Sequence, residues 1–286
     1  MAGRINSRKI GTNEFTTFSA QRPGHHKRPQ LQRACFPKSA IWEYGWIPKT
    51  RDRSGNAMSR IVVMGGSRGV GLQTVKALLK EGHEVVAFSR SAKNLQLNNP
   101  KLAKISGDAT RESDVRTVIE GADAVVQALG VPMNLKLITG PINLFSMATE
   151  TLISIMESTG VRRLIAVTGF GAGDSEAAIN CFQKIPFNIV FGQAYRDKSL
   201  QEESIKKSDL DWTIVRPGGL KADPPSGELF VSAENTLNSG EISRDLVADV
   251  SVAALFDSKA SNKVVEIVES DKNGNAKSGV FNGLVM

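Results

Sequence analysis

The sequence predicts an α/β fold from residue 58 onward: a doubly wound parallel sheet in a single domain, preceded by a basic, disordered extension. Three observations predict it. Short apolar runs alternate with stretches of helical periodicity; a glycine cluster stands between the first run and the first helix; and residues 1–57 share neither pattern.

Hydrophobic residues at 41% and charged residues at 23% are ordinary for a globular protein. No apolar run approaches the roughly 20 residues of a membrane helix, so no membrane partner is expected. The net charge of +7 belongs to the extension. Before Met58 eleven basic residues face only Glu14, Glu43 and Asp52, a surplus of eight, which leaves the domain at −1. Nucleic-acid binding by the domain therefore gains no support. Cys35 and Cys181 make no disulfide framework, and with His83 as the domain's one histidine no metal site is expected. The extension reads as an organelle transit peptide, a disordered tail, or upstream sequence joined to a true start at Met58. The location follows from that choice: cytoplasmic, or organellar if the extension is genuine.

The elements follow in order. Residues 61–64 form a first strand and 65–71 a glycine turn. Val75, Leu78 and Leu79 then fall at helical spacing, and Gly82 closes that helix. Residues 84–88 (EVVAF) are the second strand and 104–106 a weaker third. A short helix at 114–120 precedes a strand at 123–129 (DAVVQAL). A long helix over about 142–158 carries Leu144, Met147, Ala148, Leu152 and Met156 near one face, with core packing expected for Met147, Met156 and Trp212. Residues 163–168 are the fifth strand, 170–186 with 222–227 (ADPPSG) a variable rim, 195–207 a helix, and 212–215 the sixth strand. His83 belongs to a surface turn at the amino edge of the sheet, and residues from 271 read as loop. Strands alternating with helices imply right-handed crossovers and a parallel sheet covered on both faces.

Gly65-Gly66-Ser67-Arg68-Gly69-Val70-Gly71 follows a strand and opens a helix. Gly65 permits the tight turn, Gly69 lets the backbone approach a pyrophosphate, and Gly71 lets helix and strand pack closely. The helix N-terminus offers free N–H groups to the anion. This context predicts a dinucleotide and a Rossmann-like sheet. At the end of the second strand Phe88-Ser89-Arg90-Ser91 offers no acid to a ribose 2′-hydroxyl. Arg90, helped by Arg68 or Lys93, can instead pair with a 2′-phosphate, so NADP(H) is expected ahead of NAD(H). The bland reading of Arg90 is a solvated charge. Leu129 and Gly130 end the fourth strand, where a small residue leaves room for ribose.

The Gly-x-x-x-Gly-x-Gly spacing resembles the short-chain dehydrogenase/reductase superfamily. The second half is similar to its atypical branch, the NmrA-like and flavin reductase/biliverdin-IXβ reductase group. Residues 161–168 (VRRLIAVT) resemble that group's fifth strand. Lys198-x-x-x-Glu202, followed by residues 208–218 (SDLDWTIVRPG), resembles its helix, sixth strand and Arg-Pro-Gly turn. The resemblance implies an adenine-side role for Asp108 and Ala109, although Asp108 reads equally as a turn or helix cap. It implies nicotinamide-side roles for Thr168, Lys198, Pro217, Gly218 and Gly219. Lys198 would hold the nicotinamide ribose or polarise a substrate oxygen; otherwise it is a helix lysine paired with Glu202. Two departures stand out: the group's serine beyond the fifth strand is Gly169, and its histidine beyond the sixth is Gly219. The superfamily's Tyr-x-x-x-Lys is one residue short in Tyr195-Arg196-Asp197-Lys198. The expected function is NADPH-dependent reduction of a small planar acceptor (flavin, biliverdin-like or quinone-like) by direct hydride transfer, with Lys198 and Thr168 as the catalytic candidates. The alternative is a non-catalytic NADP(H)-binding regulator or scaffold. Neither requires more than a monomer.

Overall fold

The computed structural model describes residues 59–131, 143–170, 172, 181–227, 229–232 and 240–269, with 181–191 as backbone alone. The expectations for residues 1–57 and for the segment from 271 lie outside the described residues. The strands are β1 (Arg60–Met64), β2 (Glu84–Ser89), β3 (Leu102–Ser106), β4 (Ala124–Gln127), β5 (Arg163–Val167), β6 (Asp211–Pro217), β7 (Gly219–Lys221), β8 (Leu229–Ser232), β9 (Glu241–Ser243) and β10 (Lys263–Glu269). The helices are α1 (Gly69–Lys80), α2 (Glu112–Ile119), α3 (Leu144–Thr159), α4 (Cys181–Lys207) and α5 (Arg244–Leu255).

Parallel pairing in the order β3-β2-β1-β4-β5-β6-β10 forms the body of the sheet. β8 and β9 pair antiparallel with β10, and β7 extends the sheet beyond β9. The chain winds one way from β1 to β3 and the other way from β4 onward. A crevice therefore opens between the carboxyl ends of β1 and β4, the usual ligand position in such sheets. Alternate strand residues feed two cores. Ile61, Val63, Val126 and Val215 meet Val75 and Leu78 of α1 and Val247 of α5 on one face. Val62, Met64, Val125 and Ile214 meet Val115 of α2, Leu152 of α3 and Ile205 of α4 on the other. Near-continuous apolar strands follow from burial on both faces.

Gly160 adopts φ 77° and ends α3 as expected. The buried side of α3 is Phe145, Ala148, Thr149, Leu152, Ile155 and Met156, and Met147 is exposed. The expected core role of Met147 is thus corrected: it lies two residues from Phe145, about 200° around a helix of 3.6 residues per turn. Trp212 and Met156 are buried as expected. The rim expected at 170–186 is also corrected, because residues 181–186 already belong to α4. Pro186 and Gly192 lie inside this helix despite their low helix propensity, which is a weak prior that tertiary context overrides. His83 stands at the amino edge but is half-buried, its ring stacked on Phe256 at 4.7 Å; burial, then the Lys101 charge, lowers its pKa.

Candidate nucleotide and acceptor site

The glycine turn crosses the mouth of the crevice. Gly65 has φ +85°, and a Cβ there would overlap the carbonyl oxygen of Ala128, just beyond β4. A Cβ on Gly71 would overlap the carbonyl of Gly65, so α1 can start this close to β1 only with glycine at both positions. Gly69, in contrast, faces open space. The Arg68 side chain does not cap α1, and the first turn of that helix holds no acid. The orphan N–H groups and positive end of that helix are left for an anion. Gly66 and Val70 are buried, and the Ser67 hydroxyl lies 3.1 Å from that of Ser91. Arg68 spans the crevice by donating from Nη2 to the Gly130 carbonyl at 3.4 Å. At the end of β2 the Ser89 hydroxyl is buried without a hydrogen-bond partner among the described residues, and Arg90 is exposed beside it. These features fit a bound dinucleotide: a glycine cradle at the start of α1, a buried hydroxyl without a partner among the described residues, and the exposed Arg90 beside it.

Asp108 serves its own turn. Its Oδ1 accepts from Thr110 N at 2.9 Å and Thr110 Oγ1 at 2.8 Å. These two bonds, followed by the charges of Arg90 and Arg111, hold its carboxyl below the ordinary aspartate value. Ala109 beside it is buried, Leu129 is half-buried and Gly130 exposed.

Beyond β5 and β6 a different device appears, a buried polar layer between the sheet and α4. Glu202 accepts from Arg216 Nε at 3.0 Å and Nη2 at 2.6 Å, and from the Thr168 hydroxyl at 2.7 Å. Glu266, the register partner of Arg216 on the neighbouring β10, lies 3.7 Å from it. Arg216 is 0% exposed and Glu202 1%, so each needs the other to remain charged there. Alongside, Gln127 Oε1 accepts from Thr149 Oγ1 at 3.0 Å and Gln201 Nε2 at 2.9 Å. The Thr168 hydroxyl proton is thus directed at Glu202, into the sheet–helix layer.

Lys198 is half-buried. Its ammonium donates to the Thr168 carbonyl and sits 5.0 Å from the centre of the Phe145 ring. Burial, partly offset by the Glu202 charge, lowers its pKa to about 8. Glu202 is ion-paired to Arg216 and lies 3.9 Å from Lys206, so the solvated Lys198–Glu202 pair is not the arrangement adopted. Asp197 caps the neighbouring helix: its carboxylate accepts from Phe145 N at 2.7 Å and Ser146 N at 3.1 Å at the start of α3. Pro217 ends β6. A Cβ on Gly218 would overlap the Gly240 carbonyl, and Gly219 N donates to the same oxygen at 2.7 Å.

Rim residues 222–227 are clasped by Glu269, a buried carboxylate at the end of β10. Its Oε1 accepts from Ser226 N and from Gly227 N at 2.7 Å, its Oε2 from Ser243 N at 3.2 Å and Lys221 at 3.1 Å. Burial pushes its pKa up, but these donors outweigh that and hold it below the ordinary glutamate value. Sequence reasoning missed Glu202, Asp197 and Glu269 as organising groups. One signal was available: Arg216 ends the otherwise apolar run Trp212-Thr213-Ile214-Val215, and a charge inside a buried strand demands a partner.

Fold and glycine turn together define an NAD(P)H-binding, Rossmann-like domain of the atypical short-chain dehydrogenase/reductase, NmrA-like type. The chain belongs to the NAD(P)H-binding family, whose model matches residues 65–258. It is 35% identical over 214 residues to an uncharacterised chloroplastic protein of Arabidopsis thaliana, covering 73% of this chain and 76% of that one. It is 27% identical over 235 residues to Protein TIC 62, chloroplastic, of the same plant; the match covers 73% of this chain but only 35% of that protein. Among solved structures it is similar to ChuY, an anaerobillin reductase from Escherichia coli O157:H7, at 28% identity and TM-score 0.62, covering 74% and 98% of the two chains. A Veillonella parvula short-chain dehydrogenase/reductase solved with NADP shares the fold at 15% identity and TM-score 0.62, covering 74% and 94%.

Proposed function

We propose that this protein is an NADPH-dependent reductase of a small planar acceptor. The observation that carries the reading is the convergence on one sheet edge of an uncapped glycine-rich helix start and a half-buried lysine beyond β5. NADPH, when bound, supplies the hydride. The protein's own part is to hold the pyrophosphate on the α1 amides, the adenine-side ribose near Ser89 and Arg90, and the acceptor beyond Gly169 and Gly219. Positioning of this kind supplies much of the rate when the cofactor carries the chemistry. Preference for NADPH over NADH rests on Arg90, with Arg68 and Lys93 near it. Similarity to an anaerobillin reductase favours a tetrapyrrole-like acceptor among the planar candidates. The chloroplastic relatives and the basic extension favour an organelle as the site of action.

The glycines at 169 and 219 favour a second reading, a nucleotide-binding regulator without turnover. Titration with NADPH and NADH, followed by addition of flavin, quinone and biliverdin, separates the two. NADPH binding with acceptor-dependent oxidation is expected. Binding without oxidation of any acceptor would transfer the reading to the regulator, and failure to bind either nucleotide would remove both.

A further inference from the structure

The last two residues of β10 reach both glycines of the acceptor end. Val268 is buried with Phe170, the residue after Gly169, and with Phe230, its register partner on β8. Glu269, next in the chain, holds the segment that follows Gly219. At the head of that segment Lys221 lies 3.1 Å from Glu269 Oε2. At its tail Ser226 N donates to Oε1, as does Gly227 N at 2.7 Å. Lys221 Nζ also donates to the Ser226 hydroxyl at 3.1 Å, tying head to tail directly. Ser243 N, 3.2 Å from Oε2, fixes the carboxylate itself to the start of α5. One buried side chain thus closes residues 222–225 into an arch. Within it Pro224 is exposed and Pro225 half-buried, and the two rings fix two backbone φ angles. An arch pinned at both ends and stiffened in the middle has little conformational freedom left to lose.

We propose that the 222–225 arch is a fixed wall of the acceptor pocket, against which a planar acceptor rests an apolar edge, and that Glu269 is the positioning residue that holds it. This rests on the reductase reading and deepens it, because the wall sets how well the acceptor binds and leaves hydride transfer to the nucleotide. A lid that swung at each turnover would have to pull Lys221, Ser226 N and Gly227 N away from a buried carboxylate. Leaving such a charge unsatisfied costs far more than a surface loop gains by opening. The same donors keep Glu269 ionised at neutral pH, where charge-assisted bonds are strongest. Acceptor affinity is thereby tied to a residue that touches neither acceptor nor nucleotide.

Two readouts on the full chain test it, with Glu269→Gln and the milder Lys221→Met as variants. The first is hydrogen exchange at the amides of Ser226 and Gly227. In the parent, saturating NADP⁺ should change that exchange by less than about twofold, because a fixed wall has nothing to close. Glu269→Gln should speed it about tenfold and Lys221→Met less. The second readout is steady-state reduction of 9,10-phenanthrenequinone by NADPH. Glu269→Gln should raise the quinone KM about tenfold while kcat and NADPH affinity stay at the parent's values, and Lys221→Met should raise KM by a smaller factor. If Glu269→Gln does not fold, Lys221→Met decides alone. Strong protection of the two amides by NADP⁺ would make the arch a lid and overturn the proposal. So would faster exchange with an unchanged quinone KM, or a fall in kcat at constant KM. Absence of turnover with quinone, flavin mononucleotide and biliverdin would sink the reductase reading and the acceptor role with it, while the exchange data would still decide between wall and lid.

Discussion

The two ends of the crevice are built on different principles. At the nucleotide end, β1, the glycine turn and α1 are held by close backbone approach: Gly65 under Ala128 and Gly71 under Gly65. At the acceptor end, β5, β6, β10 and α4 are held by buried side chains: Thr168, Glu202, Arg216 and Glu266 in one layer, Glu269 clasping the rim in another. On the proposed reading, the first design presents main-chain donors to a feature common to all dinucleotides. The second uses distant residues to fix a pocket wall, and its chemistry can differ among proteins with the same fold. Variation should therefore be tolerated differently at the two ends.

The sharpest way to break this comparison is Glu202→Ala. It strands the buried Arg216 charge and frees the Thr168 hydroxyl, and should cost about 3–5 kcal/mol in urea unfolding. A loss no larger than that of an exposed charge, such as Glu203, would show that the acceptor end does not depend on its buried layer.

Glu269→Gln is a milder test. Its amide nitrogen would face donors that now share a carboxylate, and the expected loss is about 1–3 kcal/mol at neutral pH. The sign of the pH dependence follows from the lowered folded-state pKa. The stabilisation is complete above the unfolded glutamate value and is lost as pH falls through the folded one. The gap between parent and variant should therefore close in acid and persist at neutrality. A gap constant with pH would show that the clasp is not ionic.

The smallest expected effect belongs to the exposed nucleotide end. Arg90→Ala should weaken NADPH about tenfold, the order of one charge-assisted bond, with NADH affinity and stability little changed. Equal weakening of both nucleotides would assign Arg90 to the adenine or pyrophosphate instead of the 2′-phosphate.

The legibility of the sequence divides along the same line. The strand–turn–helix at residues 60–80 was readable because its requirements are local: glycine must occur where a Cβ would strike backbone a few residues away or across one strand pair. Six of the seven parallel strands followed from the alternation of apolar runs and helices, whereas β10 and the order of the strands came only with the structure. The helix face of α3 was read two residues wide of the truth at Met147, since a short apolar stretch leaves the phase of the buried stripe open. The early start of α4 was hidden by Pro186 and Gly192, whose propensities are outweighed only in the folded context.

By itself, then, the sequence determined the doubly wound sheet, the dinucleotide turn and the family to which both belong, because period and glycine spacing are properties of neighbouring residues. Only the tertiary structure decided that Thr168 points its hydroxyl at Glu202, that Arg216 lies between Glu202 and Glu266, and that Tyr195 fills the space beside Gly169. Those relations join residues 14 to 50 positions apart. They are settled by how α4 seats on the sheet, where the cost of an unpaired buried charge or an unfilled gap selects one packing over its neighbours.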